Sequence, residues 1–360
     1  MLTLPALVFS ALIAAFVAGQ AARPRPIAVL EKSSPLSFQA AADSNSPAFW
    51  RTRRGVTTLS IFNSAGSPTL SSGETLDDME LIGAAAIAGE IVGGWWMESV
   101  VPDYRGVLYG YYHNEQPSPC GENRAVPRIG AARSFDGGRT WSHLGFVLEA
   151  PAGTVNCQSA NRYFVGGVGD FSAILDQYRN YLYIYFSSYV SQTAGQGVAV
   201  ARLRWSDRDA PVGRIAVWDG GVWRYPEEDA DGVLSYPAAE PFLAAGGSWH
   251  GRTGVDAFWG PSLHWNTFLN RYVMLLNRAR DGTFSQEGIY ITHATTLDTP
   301  SSWAAPLRLL AGGRTYPQII GLEPGSGTDR LAGERARLFL GGTSEYTIIF
   351  QLPDSVAVHR

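Results

Sequence analysis

The 360-residue chain has two cysteines, one lysine and six scattered histidines. Two thiols exclude a disulfide-rich scaffold and a four-thiolate zinc site. With Lys32 as the sole lysine, Schiff-base chemistry inside the folded domain is excluded as well. Charge is sparse: 28 basic against 32 acidic residues leave a net charge of −4, and 17% of the chain is charged. A nucleic-acid partner calls for a strongly basic surface, so none is expected. His-Glu-x-x-His, Gly-x-Ser-x-Gly, the Walker A loop and the dinucleotide fingerprint are all missing. Beyond the first segment no apolar run is long enough to cross a bilayer; Leu81 to Gly94 comes nearest and is broken by Glu90.

That first segment is apolar and uncharged from Leu2 to Ala18, then runs through Ala18-Gly19-Gln20-Ala21-Ala22 to Arg23-Pro24. The pattern reads as a signal peptide over residues 1–22, with an uncleaved single-span anchor as the alternative. Either way the bulk is exported, secreted or periplasmic, with no stable membrane partner once the signal is cleaved. Export permits Cys120 and Cys157 to pair, a bond the sequence leaves open.

What is present favours strands. The chain is 45% hydrophobic, with Gly 40, Pro 21, Trp 11, Tyr 16 and Phe 16, a composition of many turns and aromatic strands. Short strand-like runs recur at 57–63, 106–113, 181–189, 197–205, 272–277, 288–294 and 337–341, each bounded by turn residues. A weak repeat organises them: a small or polar group beside a carboxylate, amide or aromatic precedes a hydrophobic strand, and a second, aromatic strand follows. Taking Asp43, Glu98, Asp170, Ser262 and Gln318 as markers, the intervals are 55, 72, 92 and 56 residues. Each holds one propeller blade of ~40 to 50 residues plus loops. The fold expected is all-β, a five-bladed β-propeller of four-stranded antiparallel blades over 43–360, after an N-terminal extension at 23–42. The C-terminal strand, Glu345 to Leu352, is expected to pair into the blade of the Asp43 region, and the insertion Tyr225 to Gly254 to line a binding face.

Inner strands of a propeller converge on a central channel, so groups at their starts meet in space. Cleaving a glycosidic bond needs one protonated and one ionised carboxyl group, and crowding carboxylates at a channel mouth raises one pKa. Asp43, Glu98 and Asp170 open three successive inner strands and are the catalytic candidates. The tip His113-Asn114-Glu115 offers His113 and Glu115 to a substrate, with Glu115 the reserve acid. Trp96, Trp259 and His264 suit sugar faces and hydroxyls, and Asp256 lies on the fourth inner strand. The motif Ser134-Phe135-Asp136-Gly137-Gly138-Arg139-Thr140-Trp141 matches an Asp box, a hairpin turn that marks architecture and lies away from the channel.

With Asp43 in Asp43-Ser44-Asn45-Ser46-Pro47, Gly169-Asp170-Phe171-Ser172 and Trp259-Gly260-Pro261-Ser262 opening inner strands, the layout resembles the five-bladed β-propeller glycoside hydrolases of the arabinanase, xylosidase and fructosidase kind. The resemblance implies Asp43 as base or nucleophile, Asp170 as the residue that tunes and orients, and a Glu of a later blade as acid. The fourth inner strand offers Asp256, Ser262 and His264 but no Glu. Some enzymes of this layout hold a channel Ca²⁺, here by His264 and waters; no other cofactor is expected. The function expected is an exported, monomeric glycoside hydrolase with a carbohydrate substrate. The alternatives are a sialidase-like hydrolase, which needs an arginine triad, and a non-catalytic propeller that binds glycan or protein.

Overall fold

A computed structural model describes residues 27–89, 91–121 and 124–352. The expected signal peptide lies outside the described residues, and among those described no helix is long and apolar enough to cross a membrane.

Five antiparallel sheets form the blades of a propeller. Blade one is Ala48–Arg53, Val56–Ser64, Pro68–Gly73 and Glu80–Ala84. Blade two is Gly94–Pro102, Leu108–Pro117, Ala125–Ser134 and Thr140–Leu148, with Ala86–Ala88 added in parallel at its edge. Blade three is Val168–Leu175, Tyr181–Ser188, Gly197–Arg204, Ile215–Asp219 and Val222–Arg224, with Leu243–Ala244 also paired to Gly197–Arg204. Blade four is Thr253–Asn266, Arg271–Asp281, Gln286–Ala294 and Leu307–Ala311, with Leu331–Ala332 parallel to its first strand. Blade five is Pro317–Gly321, Arg335–Leu340, Thr343–Phe350 and Ala28–Ser37. Three blades therefore exceed the four strands expected.

The closure differs from the expected one. Thr343–Phe350 pairs not with the Asp43 blade but with Ala28–Ser37, in the register Ala28↔Phe350 and Lys32↔Tyr346. Residues 28–37 are thus no extension. They form the outer strand of blade five, so the first and last described strands share one sheet and close the ring without a covalent bond. Cys120 and Cys157 are bonded, with Cα atoms 5.2 Å apart.

Apolar clusters fill each gap between blades. Side-chain alternation explains how one strand serves two of them. Along Tyr181–Ser188, Leu182, Ile184 and Phe186 pack toward blade two, while Tyr183 and Tyr185 pack toward blade four. At the axis several of the repeat's small polar residues gain a physical meaning, because they satisfy backbone of other inner strands. Ser99 Oγ accepts the Ala173 amide (2.8 Å) and Ser172 Oγ the Leu263 amide (3.1 Å). Asn45 Nδ2 donates to the Phe171 and Pro261 carbonyls, and Gln318 exchanges two hydrogen bonds with the Ser46 backbone.

Candidate active site

A pocket of about 210 Å³ opens where the inner strands begin, lined by Asp43, Glu115, Tyr163, Phe164, Asp170, Trp259, Thr283, Phe284, Thr315 and Tyr316. Asp43 precedes the first strand of blade one and is fixed by its amide donating to the Ser64 carbonyl (2.8 Å). Glu115 ends the second strand of blade two, and Asp170 lies in the first strand of blade three. Phe284 comes from a hairpin turn that Asp281 organises by accepting from the Thr283 and Ser285 amides. Trp249, near the end of the insertion, stacks on Phe284 at 4.6 Å, and His250 is pinned between Ser159 and the Val190 carbonyl. The insertion's last turn thus props the mouth, while its hairpin at 227–235 is not among the lining residues.

Asp170 is buried, and both its oxygens accept phenol hydroxyls: Tyr189 on Oδ2 (2.5 Å) and Tyr316 on Oδ1 (3.0 Å). Asp170 and Tyr316 adopt φ of 40° and 55°, a left-handed conformation that costs non-glycine residues of order 1–3 kcal/mol each and persists only where the surroundings enforce it. Burial raises the Asp170 pKa, against the pull of His113 and the two tyrosines. Asp43 is raised to about 6, by partial removal of its carboxyl from water and then by the charges of Asp170 and Glu115. The residue is solvent-accessible, yet it lines the pocket beside Glu115 and Asp170, where the surrounding wall removes part of the carboxyl's hydration.

Beneath the pocket lies a second tier. Glu98 is buried, its Oε2 accepts the Phe171 amide (2.6 Å), and its Oε1 lies 3.6 Å from His113 Nδ1. Burial holds its pKa well above the ordinary value. His113 Nε2 lies 3.6 Å from Glu115 Oε1, and its Nδ1 receives the Asp170 amide at 3.0 Å. Two influences conflict at this ring. Burial opposes its charge, but Glu115, Asp170 and Glu98 together raise it to about 9, whereas a donor into Nδ1 requires a lone pair there. The amide contact is the stronger constraint, because two N–H groups cannot face each other at 3.0 Å; the ring held here is the Nε2–H form, directed at Glu115. Gly169 makes this approach feasible, since a Cβ there would lie 2.5 Å from the imidazole.

The structure therefore brings Asp43, Glu115, Asp170 and Trp259 to one pocket and places His113 directly under it. The remaining candidates do not line the pocket, although a Glu98 carboxylate oxygen lies within 4.8 Å of ligand atoms of His113 and Asp170. Glu98 anchors the neighbouring blade's backbone and does not line the pocket. Trp96 packs its edge on His113 at 5.5 Å, behind the mouth. Asp256 is held by Arg278 in a two-pronged ion pair of 2.7 and 3.0 Å. His264, expected on the substrate, is buried between blades four and five against Phe350 at 5.3 Å. Strand alternation turns it away from the channel, and burial alone lowers it to about 3. Its Nε2 has no partner, but no charged group acts on it, and a lone nitrogen without oxygen anions does not fit Ca²⁺. Tyr189, Tyr316, Tyr163, Phe164 and Phe284 were not foreseen as site residues; Tyr316 stands inside the fifth repeat segment, the one available signal.

The fold and the mouth together define a five-bladed propeller with a carboxylate pocket on its axis. It shares its fold with a thermostable family-43 glycoside hydrolase at 13% identity, covering 87% of this chain and 91% of that one with a TM-score of 0.50. The α-L-arabinanase of Cellvibrio cellulosa gives 13% identity, 88% and 95% coverage and a TM-score of 0.49. The endo-arabinase of Bacteroides thetaiotaomicron gives 11%, 89% and 97%, and 0.46. No family model matches the chain, and no curated protein matches its sequence.

Proposed function

We propose that the protein is an exported glycoside hydrolase that cleaves O-glycosidic bonds of a polysaccharide or oligosaccharide at this pocket. The observation that carries the reading is the joining of Asp43, Glu115 and Asp170 in one pocket walled by Trp259, Phe284, Tyr163 and Tyr316. Cleavage of a glycosidic bond needs two carboxyl groups, one as acid and one as base or nucleophile, and aromatic rings suit the C–H faces of sugars. The fold likeness to a family-43 glycoside hydrolase supports the same class. Asp43 is the base or nucleophile, poised near 6. Glu115 replaces Glu98 as the acid, because it reaches the pocket and Glu98 does not; His113 Nε2 lies 3.6 Å from its carboxylate. Asp170, clamped by two phenols, sets the field around Asp43. A sialidase-like reading needs an arginine triad, and none of the pocket's ten lining residues is arginine.

The test is a panel of aryl glycosides and polysaccharides, followed by variants on the substrate found. Asp43→Asn should lower turnover by about 10³-fold or more with the fold intact. Glu115→Gln should spare good leaving groups and disable poor ones, since only the latter require a proton. Wild-type rates in both variants refute the assignment, and binding without turnover across the panel makes the protein a glycan-binding propeller. Export is tested by sequencing the mature N-terminus, expected near Ala21 to Pro24.

A further inference from the structure

The turn at 134–141 shapes a groove that the proposed reaction does not use. In an antiparallel blade the turns after the first and third strands lie at the end opposite the inner strand's start. The turns at 54–55 and 135–139 therefore sit on the face away from the mouth, and between them runs a groove of about 730 Å³ lined by Arg51, Arg53, Arg139 and Phe135. Arg51 is set in place: its Nη1 donates to the Gly137 carbonyl (3.1 Å), and its buried Nε has no partner. Gly137 has φ of +83°, and a Cβ there would lie 1.6 Å from Arg51 Nη1, so only glycine leaves the guanidinium this seat.

Positive charge in the groove is poorly neutralised. Burial and the charges of Arg139 and Arg53 hold Arg51 below the usual arginine range. The opposing carboxylate, Asp136, is occupied by Ser134, Thr140 and the Arg139 amide. Arg105, Arg133, Arg278 and Arg308 each hold a carboxylate within 4.0 Å; among the described residues Arg51, Arg53 and Arg139 hold none. Phe135 stands beside them 70% exposed, in a chain whose net charge is negative.

The geometry points to this groove as a binding site for an anionic oligosaccharide, a sugar chain carrying carboxylate or sulfate groups. Guanidinium forks pair with such planar or tetrahedral anions, the exposed ring offers a face to sugar C–H groups, and the volume exceeds that of a lone anion. The site does not depend on the hydrolase reading, because none of its residues lines the mouth pocket.

The experiment titrates the full chain by calorimetry with an oligogalacturonate, a sulfated galactan oligomer, a neutral galactan oligomer of equal length and inorganic sulfate. Saturable binding of either anionic oligomer is expected, weakening as salt rises. Arg53→Ala with Arg139→Ala should weaken it about tenfold or more, Phe135→Ala several-fold, and Asp43→Asn not at all. A circular-dichroism melt confirms that each variant folds. The proposal is overturned if neither anionic oligomer binds, if the double arginine variant binds like wild type, or if the neutral oligomer or inorganic sulfate binds as tightly.

Discussion

Two aspartates, one on each face of the propeller, show how differently the same side chain is used. At the outer turn Asp136 accepts from Ser134 Oγ (2.8 Å), the Arg139 amide (3.0 Å), and the amide and hydroxyl of Thr140 (3.0 and 2.7 Å). A little burial works against its charge, but Thr140 and Ser134 outweigh it and hold the carboxyl below its ordinary range. At the mouth Asp170 is buried and accepts two phenol hydroxyls from residues 19 and 146 positions away, and its pKa rises. Hydroxyl and amide donors supplied within four residues stabilise an exposed anion; two phenols on a buried carboxyl do not replace the lost hydration. The first arrangement builds a turn, and the second stores a proton-sensitive group beside Asp43.

The largest effect should come from exchanging the charge at each site. Asp170→Asn keeps the shape and an acceptor but removes the charge that helps raise Asp43. On a genuine substrate kcat/KM should fall by roughly 10²- to 10³-fold. The acid limb of the pH profile, expected near 6 because Asp43 must ionise, should move to lower pH. Asp136→Asn should leave both rate and profile within twofold. Equal losses from the two variants would erase the distinction drawn between the faces.

The difference between these sites also explains what the sequence disclosed. The turn is local, so Ser134, Asp136 and Trp141 announce it within eight residues. The blades are legible through strand alternation and the small polar residues that open each inner strand, because these bond to neighbouring backbones in a repeating way. The closure was missed because Ala28–Ser37 reads as a polar lead-in, and only pairing with a strand more than 300 residues away makes it a blade edge. Asp43 and Asp170 were legible as strand openings. Their phenol partners were not, since Tyr189 and Tyr316 reach the site from the end of one strand and from a left-handed residue before another. Glu98 shares the opening position but bonds the Phe171 amide of blade three below the pocket, beside a register shift between Met97 and Ser99.

Stability should separate the two faces next. Asp136→Ala removes four acceptor contacts from an exposed turn and should cost about 2 kcal/mol, read by denaturant unfolding at neutral pH. The pH dependences have opposite signs. Asp136 has a depressed folded pKa, so its contribution is present above its unfolded value of 3.8 and is lost as pH falls through the lower folded value. Asp170 has a raised folded pKa, so its cost is absent below 3.8 and grows as pH rises toward the folded value. Asp170→Asn should therefore gain stability relative to wild type between pH 4 and 7, whereas Asp136→Asn should lose it. A gain from both variants would show that Asp136 is not held as an ion.

The smallest effect tests a residue that belongs to neither face. His264 lies on an inner strand yet packs between blades, with its ring against Phe350 and its Nε2 unpartnered. Burial lowers its pKa to about 3, so the folded protein keeps it neutral while the unfolded chain takes up a proton near 6.5. Between those values the unfolded state binds the extra proton, and stability falls as pH drops from 6.5 toward 3. His264→Leu removes that liability and the orphaned nitrogen together. The variant should match wild type in activity within twofold, and its stability advantage should be larger at pH 5.5 than at pH 8 by about 1 kcal/mol. A tenfold loss of activity would instead return His264 to the channel, and a stability difference unchanged between pH 8 and 5.5 would mean that the ring is not buried in its neutral form.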